Sequence, residues 1–291
     1  MIFVKMVVFK SLKAIVEESA IPAREAILAH KSDKKTIEKL LVLVEGVDDV
    51  PVYSVFLDED KVDFKDCNGC ENVEKQHWTL KKELGKKFIS ILDSDFRFMD
   101  SPLKDDDNLF FTDYHDSEMQ MLSNKYVMPK AFQKITKRQL YGEDLVLVAE
   151  KEVYNLSMLK WYNSKRQFKY RFKPIDLVSL SHGCELTVNT VTQYVEPTKS
   201  SSKMFPSRTF AKFLTKNNKK TDVEALHKLS NGHDVVLRLS GILRHEYNTQ
   251  VSKDNLRKAI CQSFTLEIAK KTGLYDRIKS WCDKKHVAIL K

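Results

Sequence analysis

Two stretches decide the fold of this chain, Leu40-Leu41-Val42-Leu43-Val44-Glu45-Gly46-Val47-Asp48-Asp49 and Phe88-Ile89-Ser90-Ile91-Leu92-Asp93-Ser94-Asp95. Each is a short apolar run that ends in acidic residues, and Glu45 stands 48 positions before Asp93. Apolar runs without alternation are typical of strands buried on both faces of a parallel sheet. Ligands bind such sheets at the carboxyl ends of the strands. We therefore expect Glu45, Asp93 and Asp95 to lie close together at one edge of the sheet.

Carboxylates gathered at this edge would need a cation, because like charges repel one another and lose hydration when they are brought together. Carboxylate oxygens suit Mg²⁺, which Mn²⁺ can replace. Asp93 and Asp95 are alternate residues leaving a strand, so we expect them to point to the same side and share an ion. Gly46 is expected to allow a sharp turn after Glu45 and a close approach of a phosphate to the backbone.

The order of the predicted elements favours a right-handed, mostly parallel sheet flanked by helices, which is an α/β fold. The pattern predicts a short helix over residues 48–56, a strand over 61–66 and a helix over 71–84. A further strand is expected over residues 109–112, and a helical lead-in over 11–30 precedes the sheet.

Several polar side chains follow the strand predicted at residues 109–112. Asp116 or Glu118 could join the metal site if this strand neighbours the strand before Asp93. The alternative role of Asp116 is to cap a helix over residues 117–122, since aspartate is favoured at that position. His115 is expected to position its neighbours rather than to bind the ion.

The two halves of the chain differ in charge. Residues 1–150 carry 22 Lys and Arg against 28 Asp and Glu, whereas residues 151–291 carry 27 against 12. We expect an acidic metal-binding domain over residues 1–125 and a mainly helical basic domain over 126–291. The basic excess favours binding of nucleic acid, since Lys and Arg neutralise phosphates. The alternative is that it aids solubility or docks an acidic partner protein.

Aromatic and basic residues alternate over residues 160–173, with Phe168, Tyr170 and Phe172 on one face if the segment is a strand. The aromatic rings could stack unpaired bases. Alternatively the rings belong to the core and only the cations contact a partner.

Further along the chain we expect a flexible basic loop over residues 196–208 and a turn at Asn231-Gly232-His233-Asp234. In that turn Asp234 is expected to cap the following helix, although His233 could instead reach a phosphate. Two helices are predicted over residues 254–272 and 274–286. Residues 104–107 form an acidic run that we interpret as a solvated loop.

The cysteine content argues against a disulfide framework, because the five cysteines are odd in number and scattered. Cys67 and Cys70 have the spacing of a zinc or redox pair, but a turn after the second strand is the simpler interpretation. No apolar run approaches the roughly 20 residues needed to span a bilayer, so we expect a cytoplasmic protein with no membrane partner.

These motifs resemble the TOPRIM family, in which a hydrophobic strand ending in Glu-Gly is followed by one ending in Asp-x-Asp. Glu45-Gly46 with Asp49 is similar to the OLD-type TOPRIM pattern. The segments 112–118 and 231–234 resemble further landmarks of the small AriB-type TOPRIM effectors of PARIS anti-phage defence systems. The resemblance covers roughly residues 37–243.

The resemblance implies a metal-dependent nuclease. Glu45, Asp93, Asp95 and Glu118 would be catalytic, and Glu45, Asp49, Asp93 and Asp95 would bind the metal. It also implies a toxic effector that cleaves RNA, with tRNA favoured over DNA, under the control of a partner ATPase. The chain itself has no Gly-x-x-x-x-Gly-Lys-Ser/Thr segment, so nucleotide-driven control must come from another polypeptide.

Other functions stay open from the sequence. A topoisomerase or primase would share the acidic residues, and a phosphotransferase could use Asp93-Ser94-Asp95 as an aspartyl-phosphate site. A catalytically silent subunit would bind nucleic acid or assemble with the ATPase. The sequence leaves the oligomeric state open, including a homodimer.

Overall fold

A computed structural model describes residues 39–85, 87–100, 106–140, 144–181, 183–196, 205–218 and 221–291. The predicted helical lead-in over residues 11–30 lies outside the described residues. Most of the basic loop predicted over residues 196–208 and part of the acidic run over 104–107 lie outside them as well.

Four parallel strands form the central sheet, in the order β2-β1-β3-β4. They are β1 (Leu40–Val44), β2 (Val62–Asp66), β3 (Phe88–Leu92) and β4 (Leu109–Phe111). The prediction of an α/β fold with a parallel sheet flanked by helices is confirmed. From β1 the chain turns to β2 on one side, and β3 then lies on the other side of β1. The carboxyl ends of β1 and β3 therefore border the point where strand order reverses, the usual ligand position in such sheets.

Short helices connect and follow the strands. A 3-10 helix (Val47–Asp49) leads into α1 (Val50–Tyr53), and then come α2 (Cys70–Leu84), α3 (Arg97–Asp100) and α4 (Ser117–Leu122). The predicted helices over residues 48–56 and 71–84 are thus confirmed to within a few residues. Pro51 lies in the first turn of α1, where its missing N–H is not needed.

The rest of the described chain is mainly helical. Its elements are α5 (Val127–Thr136), α6 (Leu145–Glu152), α7 (Tyr154–Lys165), β5 (Arg171–Phe172), α8 (Val188–Gln193), β6 (Val195–Glu196), α9 (Ser207–Lys216), α10 (Val223–Leu229), α11 (Gly232–Tyr247), α12 (Lys253–Ser263), α13 (Leu266–Ala269) and α14 (Gly273–Lys285). The helix predicted over residues 254–272 is interrupted, because Phe264 and Thr265 are extended between α12 and α13.

The sheet is covered on both faces. On one face α2 packs through Val73 and Leu80 against Leu41, Leu43 and Leu92. On the other face one continuous core joins Val42, Val44 and Ile91 to the helices that follow residue 126. The boundary predicted at residues 125 and 126 stays a prediction, although the helices on either side of it share this core. Among the described residues no helix is both long and apolar enough to cross a bilayer.

Candidate functional site

The carboxyl edge of the sheet brings Glu45 and Asp93 together. The backbone N–H of Asp93 donates a hydrogen bond to Glu45 Oε1 over 2.9 Å. Parallel pairing of Leu43 with Ser90 sets the register, so the residues that follow β1 and β3 emerge at nearly the same level. The two residues separated by 48 positions in the sequence are therefore direct neighbours, as expected from their places after adjacent strands.

Ser117 at the start of α4 links two further carboxylates. Its N–H donates to Asp93 Oδ1 over 3.0 Å, and its hydroxyl donates to Asp49 Oδ1 over 2.8 Å. Asp49 Oδ2 also accepts from the N–H of Gly46 over 3.0 Å. We call Glu45, Asp49, Asp93 and Asp95 the acidic rim. Sequence reasoning missed Ser117, whose position directly after the capping Asp116 was the available signal.

Gly46 does not make the sharp turn expected of it, and its expected contact with a phosphate stays a prediction. Its φ of −142° is extended backbone that any residue can adopt, and an added Cβ would meet its nearest neighbour, Asp49 Oδ2, at 3.8 Å. The chain turns instead through the 3-10 helix that begins at Val47. The space beside the Gly46 backbone is open enough for another group to approach it.

Asp95 departs from the expected strand geometry. The strand β3 ends at Leu92, and Asp95 has a φ of +47°, in the left-handed region that aspartate tolerates better than most residues. Its N–H donates to the carbonyl of His115 over 2.7 Å, which fixes this turn against the end of β4. Asp93 and Asp95 are therefore not alternate residues of a strand, and the expectation that strand geometry points them to the same side is wrong.

Arg97 brings a positive charge into the rim. Its Nη1 donates to the carbonyl of Asp93 over 2.8 Å and lies 3.3 Å from Asp95 Oδ2, while Nη2 lies 2.9 Å from Glu74 Oε1. The sequence patterns alone did not single out Arg97, although its place four residues after Asp93 was a usable signal. Asp95 thus has an internal cationic partner, and the Asp95 carboxylate is 45% exposed.

The other rim carboxylates repel one another. Burial and, after it, the negative charges of Asp95 and Asp49 raise the pKa of Glu45 to about 7, although the hydrogen bond from Asp93 opposes this. Burial and the charges of Asp49 and Asp116 raise the pKa of Asp93 well above its ordinary value. Burial also raises the pKa of Asp49. A cation bound here would relieve this repulsion.

Glu118 is engaged by the helical region. The Nε of Arg257 in α12 lies 2.5 Å from Glu118 Oε1, and His233 Nε2 lies 3.5 Å from the same oxygen. Burial raises the pKa of Glu118, but His233 and Arg257 outweigh it and the net pKa is lowered. Arg257 also donates to the carbonyl of Asp48 over 2.9 Å. The catalytic role predicted for Glu118 stays a prediction, and its carboxylate is already paired with a cation.

Asp116 caps α4, as the alternative interpretation held. Its Oδ1 accepts from the N–H of Met119 over 2.9 Å, and its Oδ2 accepts from the N–H of Gly232 over 2.6 Å. An added Cβ at Gly232 would meet Asp116 Oδ1 at 2.3 Å and the Cβ of Glu118 at 2.4 Å. Gly232 is therefore required where α11 begins against α4.

The turn before α11 differs from the prediction in its capping residue. The side chain of Asn231 accepts from the N–H of Asp234 over 3.3 Å and is the cap. Asp234 instead lies 2.5 Å from the Nζ of Lys160. Asn231 directly precedes the first residue of the helix and is therefore at the capping position, whereas Asp234 is already the third residue inside the helix. His233 lies near Glu118 and Lys253.

His115 is buried beneath the rim. Its ring packs edge-on against Phe96, with the ring centres 4.7 Å apart. Burial lowers its pKa to about 4, so it is neutral at physiological pH. The role of His115 in positioning its neighbours rather than binding the ion stays a prediction.

The segment over residues 160–173 is not one strand. Only Arg171–Phe172 pair in a strand, with Val195–Glu196. Gln167 and Lys169 have positive φ and interrupt the expected alternation. The rings of Phe168 and Tyr170 pack on each other, with their centres 5.4 Å apart. The alternative in which the aromatic rings belong to the core is the one that the structure shows.

Cys67 and Cys70 flank the turn between β2 and α2, as the simpler interpretation held. Burial raises the pKa of Cys67 to about 12 and also raises that of Cys70. Burial therefore favours the thiol form of both side chains, which is unfavourable for a redox nucleophile.

The donor atoms of the acidic rim fit Mg²⁺ by their chemistry, since they are hard carboxylate oxygens. The four carboxylates also outnumber the one arginine beside them. Among the described residues no three His, Cys, Asp or Glu side chains already stand in a metal-binding arrangement, and metal binding stays a prediction. Comparison of the sequence with protein-family models and with curated proteins gave no match.

Proposed function

We propose that this chain is a Mg²⁺-dependent phosphodiesterase of the TOPRIM type, an endonuclease acting on RNA, with tRNA favoured and DNA a second substrate. The observation that carries the proposal is the direct hydrogen bond between the Asp93 backbone and Glu45, at the point where strand order reverses. The carboxylates of Glu45, Asp49, Asp93 and Asp95 together concentrate negative charge at this edge of the sheet. The stability of the fold alone does not require such a cluster.

Asp93 and Asp95 would hold the metal, with Asp49 completing or orienting its surroundings. Mg²⁺ bound here, or Mn²⁺ in its place, would stabilise the negative charge that develops on the reacting phosphate. Glu45 would either hold a second ion or accept a proton from the attacking hydroxyl. Its pKa of about 7 suits that second task, because a general base works best with a pKa near the working pH.

Arg97 would change partners when the site is loaded. In the structure it lies beside Asp95 and holds the Asp93 carbonyl. Asp95, once it holds the metal, would no longer depend on the guanidinium for a positive partner. Arg97 would then be released to donate to a phosphate oxygen, for which its planar group is well suited.

The biological role proposed for this activity is that of a toxic effector in anti-phage defence, acting in the cytoplasm. A separate ATPase subunit would restrain it, because the chain has no phosphate-binding loop of the Gly-x-x-x-x-Gly-Lys-Ser/Thr kind. Co-expression with a silencing ATPase should protect the host, whereas toxicity that no such ATPase can suppress would argue against this part.

A second candidate is a catalytically silent subunit that binds nucleic acid or assembles with the ATPase. The observation in its favour is that Asp95 and Glu118 already pair with Arg97 and Arg257. In that case the internal arginines would replace the metal permanently.

The test is a cleavage assay with tRNA, plasmid and single-stranded DNA, in Mg²⁺ and in EDTA. Wild-type protein should cleave at least one of them only with the metal. Glu45→Gln and Asp93→Asn should each lose more than about a hundredfold, beyond the loss typical of an outer-shell partner. Asp60→Asn, an exposed acid before β2 at the opposite edge of the sheet, serves as the control. Absence of cleavage by the wild type under all conditions would favour the silent subunit.

A further inference from the structure

We propose that a basic surface beside the acidic rim binds the phosphodiester backbone of the substrate and leads it to the reacting carboxylates. The surface consists of Arg166, Lys169, Arg171, Lys173, Arg208 and Lys212. The inference rests on the proposed function, in that it treats the acidic rim as the place where the phosphate reacts.

The surface is assembled from three segments of the chain. They are the residue after α7, the stretch that includes β5, and the first turns of α9. All six basic side chains belong to exposed residues. Within the part of the chain that the structure describes, only Lys173 forms an ion pair, with Glu196 at 3.6 Å. Five cations thus face solvent without a described acidic partner and are available to neutralise the phosphates of a polyanion.

A cluster of aromatic rings fixes the three segments together. The ring centre of Tyr162 lies 5.5 Å from that of Phe168 and 5.4 Å from that of Phe210. Tyr170 and Phe205 are 5.7 Å apart, which ties the β5 segment to the segment before α9. The cations are therefore carried by a rigid layer rather than by independent loops.

The same cluster determines how a nucleic acid would be recognised. Tyr162, Tyr170 and Phe210 are buried and unavailable for stacking on bases. Phe168 and Phe205 are half-buried and pack against the same core. The surface therefore offers charge to the backbone and little that distinguishes one base from another. We expect affinity to be strong, weakly dependent on sequence and sensitive to salt.

Residues that flank the basic surface and the acidic rim contact each other. Lys165, next to Arg166 at the end of α7, forms an ion pair with Asp100. Trp161 Nε1 donates to the same carboxylate over 3.4 Å. Asp100 ends α3, whose first residue is Arg97, so about 5 Å of helix separates this anchor from the arginine at the rim. We infer that a backbone lying on the basic surface would be led past this anchor toward the acidic rim.

The experiment measures binding without cleavage, by fluorescence anisotropy of labelled tRNA in EDTA. Lys169→Gln/Arg171→Gln should weaken binding about tenfold at moderate salt, and the slope of log affinity against log salt should fall by about 1.4, or about 0.7 for each lost phosphate contact. Arg208→Gln/Lys212→Gln should weaken binding to the same extent, because these two residues of α9 belong to the same surface. Parallel titrations with single-stranded and duplex DNA identify which backbone binds best.

The control is Lys279→Gln/Lys284→Gln, which removes the same charge from exposed positions of α14. The second half of that helix lies near Asn108 and Asp107, at the amino edge of β4. Wild-type affinity in the control with weakened binding in both test variants supports the proposal. Unchanged tRNA and DNA affinity in the test variants, or equal weakening in the control, overturns it. Failure of the proposed function is separate, since that would appear as no cleavage by wild type in Mg²⁺ despite intact binding.

Discussion

Buried acidic side chains occur in two regions of this molecule, and they are neutralised differently. In the helical region Glu152 lies 2.5 Å from the Nε of Arg238, and this arginine also donates to the carbonyls of Leu177, Leu180 and Ser181. At the acidic rim Glu45 and Asp93 receive hydrogen bonds from backbone N–H groups instead. The guanidinium of Arg97 contacts the Asp93 carbonyl, Asp95 and Glu74, and forms no described ion pair with the carboxylate of Glu45 or Asp93.

This difference in pairing distinguishes a buried carboxylate that serves the structure from one that is available for function. A buried carboxylate that serves the fold alone is paired and fully hydrogen-bonded, because an unpaired one is costly. Glu152 meets this description, whereas the rim keeps several carboxylates with raised pKa values beside one another. We infer that the helical region supplies stability and that the rim gives up some stability to hold its charge.

The largest effect on stability is expected from breaking the Arg238 pair. Arg238→Met leaves Glu152 buried without its cation and should lower the free energy of unfolding by about 3–5 kcal/mol. Urea denaturation followed by circular dichroism measures it. Lys61→Met, which breaks the exposed pair with Asp58, should cost less than about 1 kcal/mol. Equal losses in the two variants would show that the buried pair is not the structural element we infer.

Glu45→Gln should have the opposite effect on stability in the metal-free protein. The folded-state pKa of about 7 lies above the ordinary value of 4.5, so the unfolded chain ionises first as pH rises. Wild-type stability is therefore lost between pH 4.5 and about 7, by up to about 3 kcal/mol. The variant keeps the acceptor for the Asp93 N–H and lacks this loss.

The measurement compares both proteins in EDTA at pH 5 and pH 8. The variant should be the more stable at pH 8, and the difference should shrink at pH 5. Burial lowers the pKa of His115 to about 4, so its ionisation destabilises the folded protein as pH falls. This contribution is the same in both proteins and cancels when their stabilities are compared. A variant that is less stable than the wild type at pH 8 would mean that Glu45 serves the fold, as Glu152 does.

Gly232 tests how the helical region supports the rim. Gly232→Ala places a Cβ within 2.4 Å of Asp116 and Glu118 atoms, and overpacking of this kind costs about 1–3 kcal/mol. Gly46→Ala is the matched control, since its Cβ would meet nothing closer than 3.8 Å. Thermal unfolding of the two variants should therefore separate them clearly. If Gly232→Ala unfolds like the wild type, α11 is free to move away from α4 and does not hold the rim.

The parts of this structure that sequence could predict are those set by local patterns and by general rules of topology. Apolar runs identified β1 and β3, and the rule for parallel sheets placed Glu45 beside Asp93. The place of Ser117 after the capping Asp116 marked it as a candidate, but its contacts with Asp49 and Asp93 depend on elements far apart in the chain meeting at the rim. The contacts of Arg257 with Glu118 and Asp48 depend on the same kind of long-range packing. The left-handed turn at Asp95 and the pairing of Arg97 with Asp95 also depend on how the end of β3 is held against β4.

The smallest effect on stability is expected at Arg97, and it bears most directly on whether the two regions differ in kind. Arg97→Gln removes a partly exposed cation, so the free energy of unfolding should change by less than about 1 kcal/mol. If Asp95 is a ligand that Arg97 occupies in the metal-free state, the same change should raise the affinity for Mn²⁺ severalfold, since the metal no longer competes with a guanidinium. Calorimetric titration with Mn²⁺ in the absence of nucleic acid measures this, and Arg97→Lys, which keeps the charge, should resemble the wild type. A lower Mn²⁺ affinity in Arg97→Gln would mean that the arginine supports the rim in the way that Arg238 supports Glu152. Asp95 would then be a structural carboxylate like Glu152, and the difference between the two regions would not extend to it.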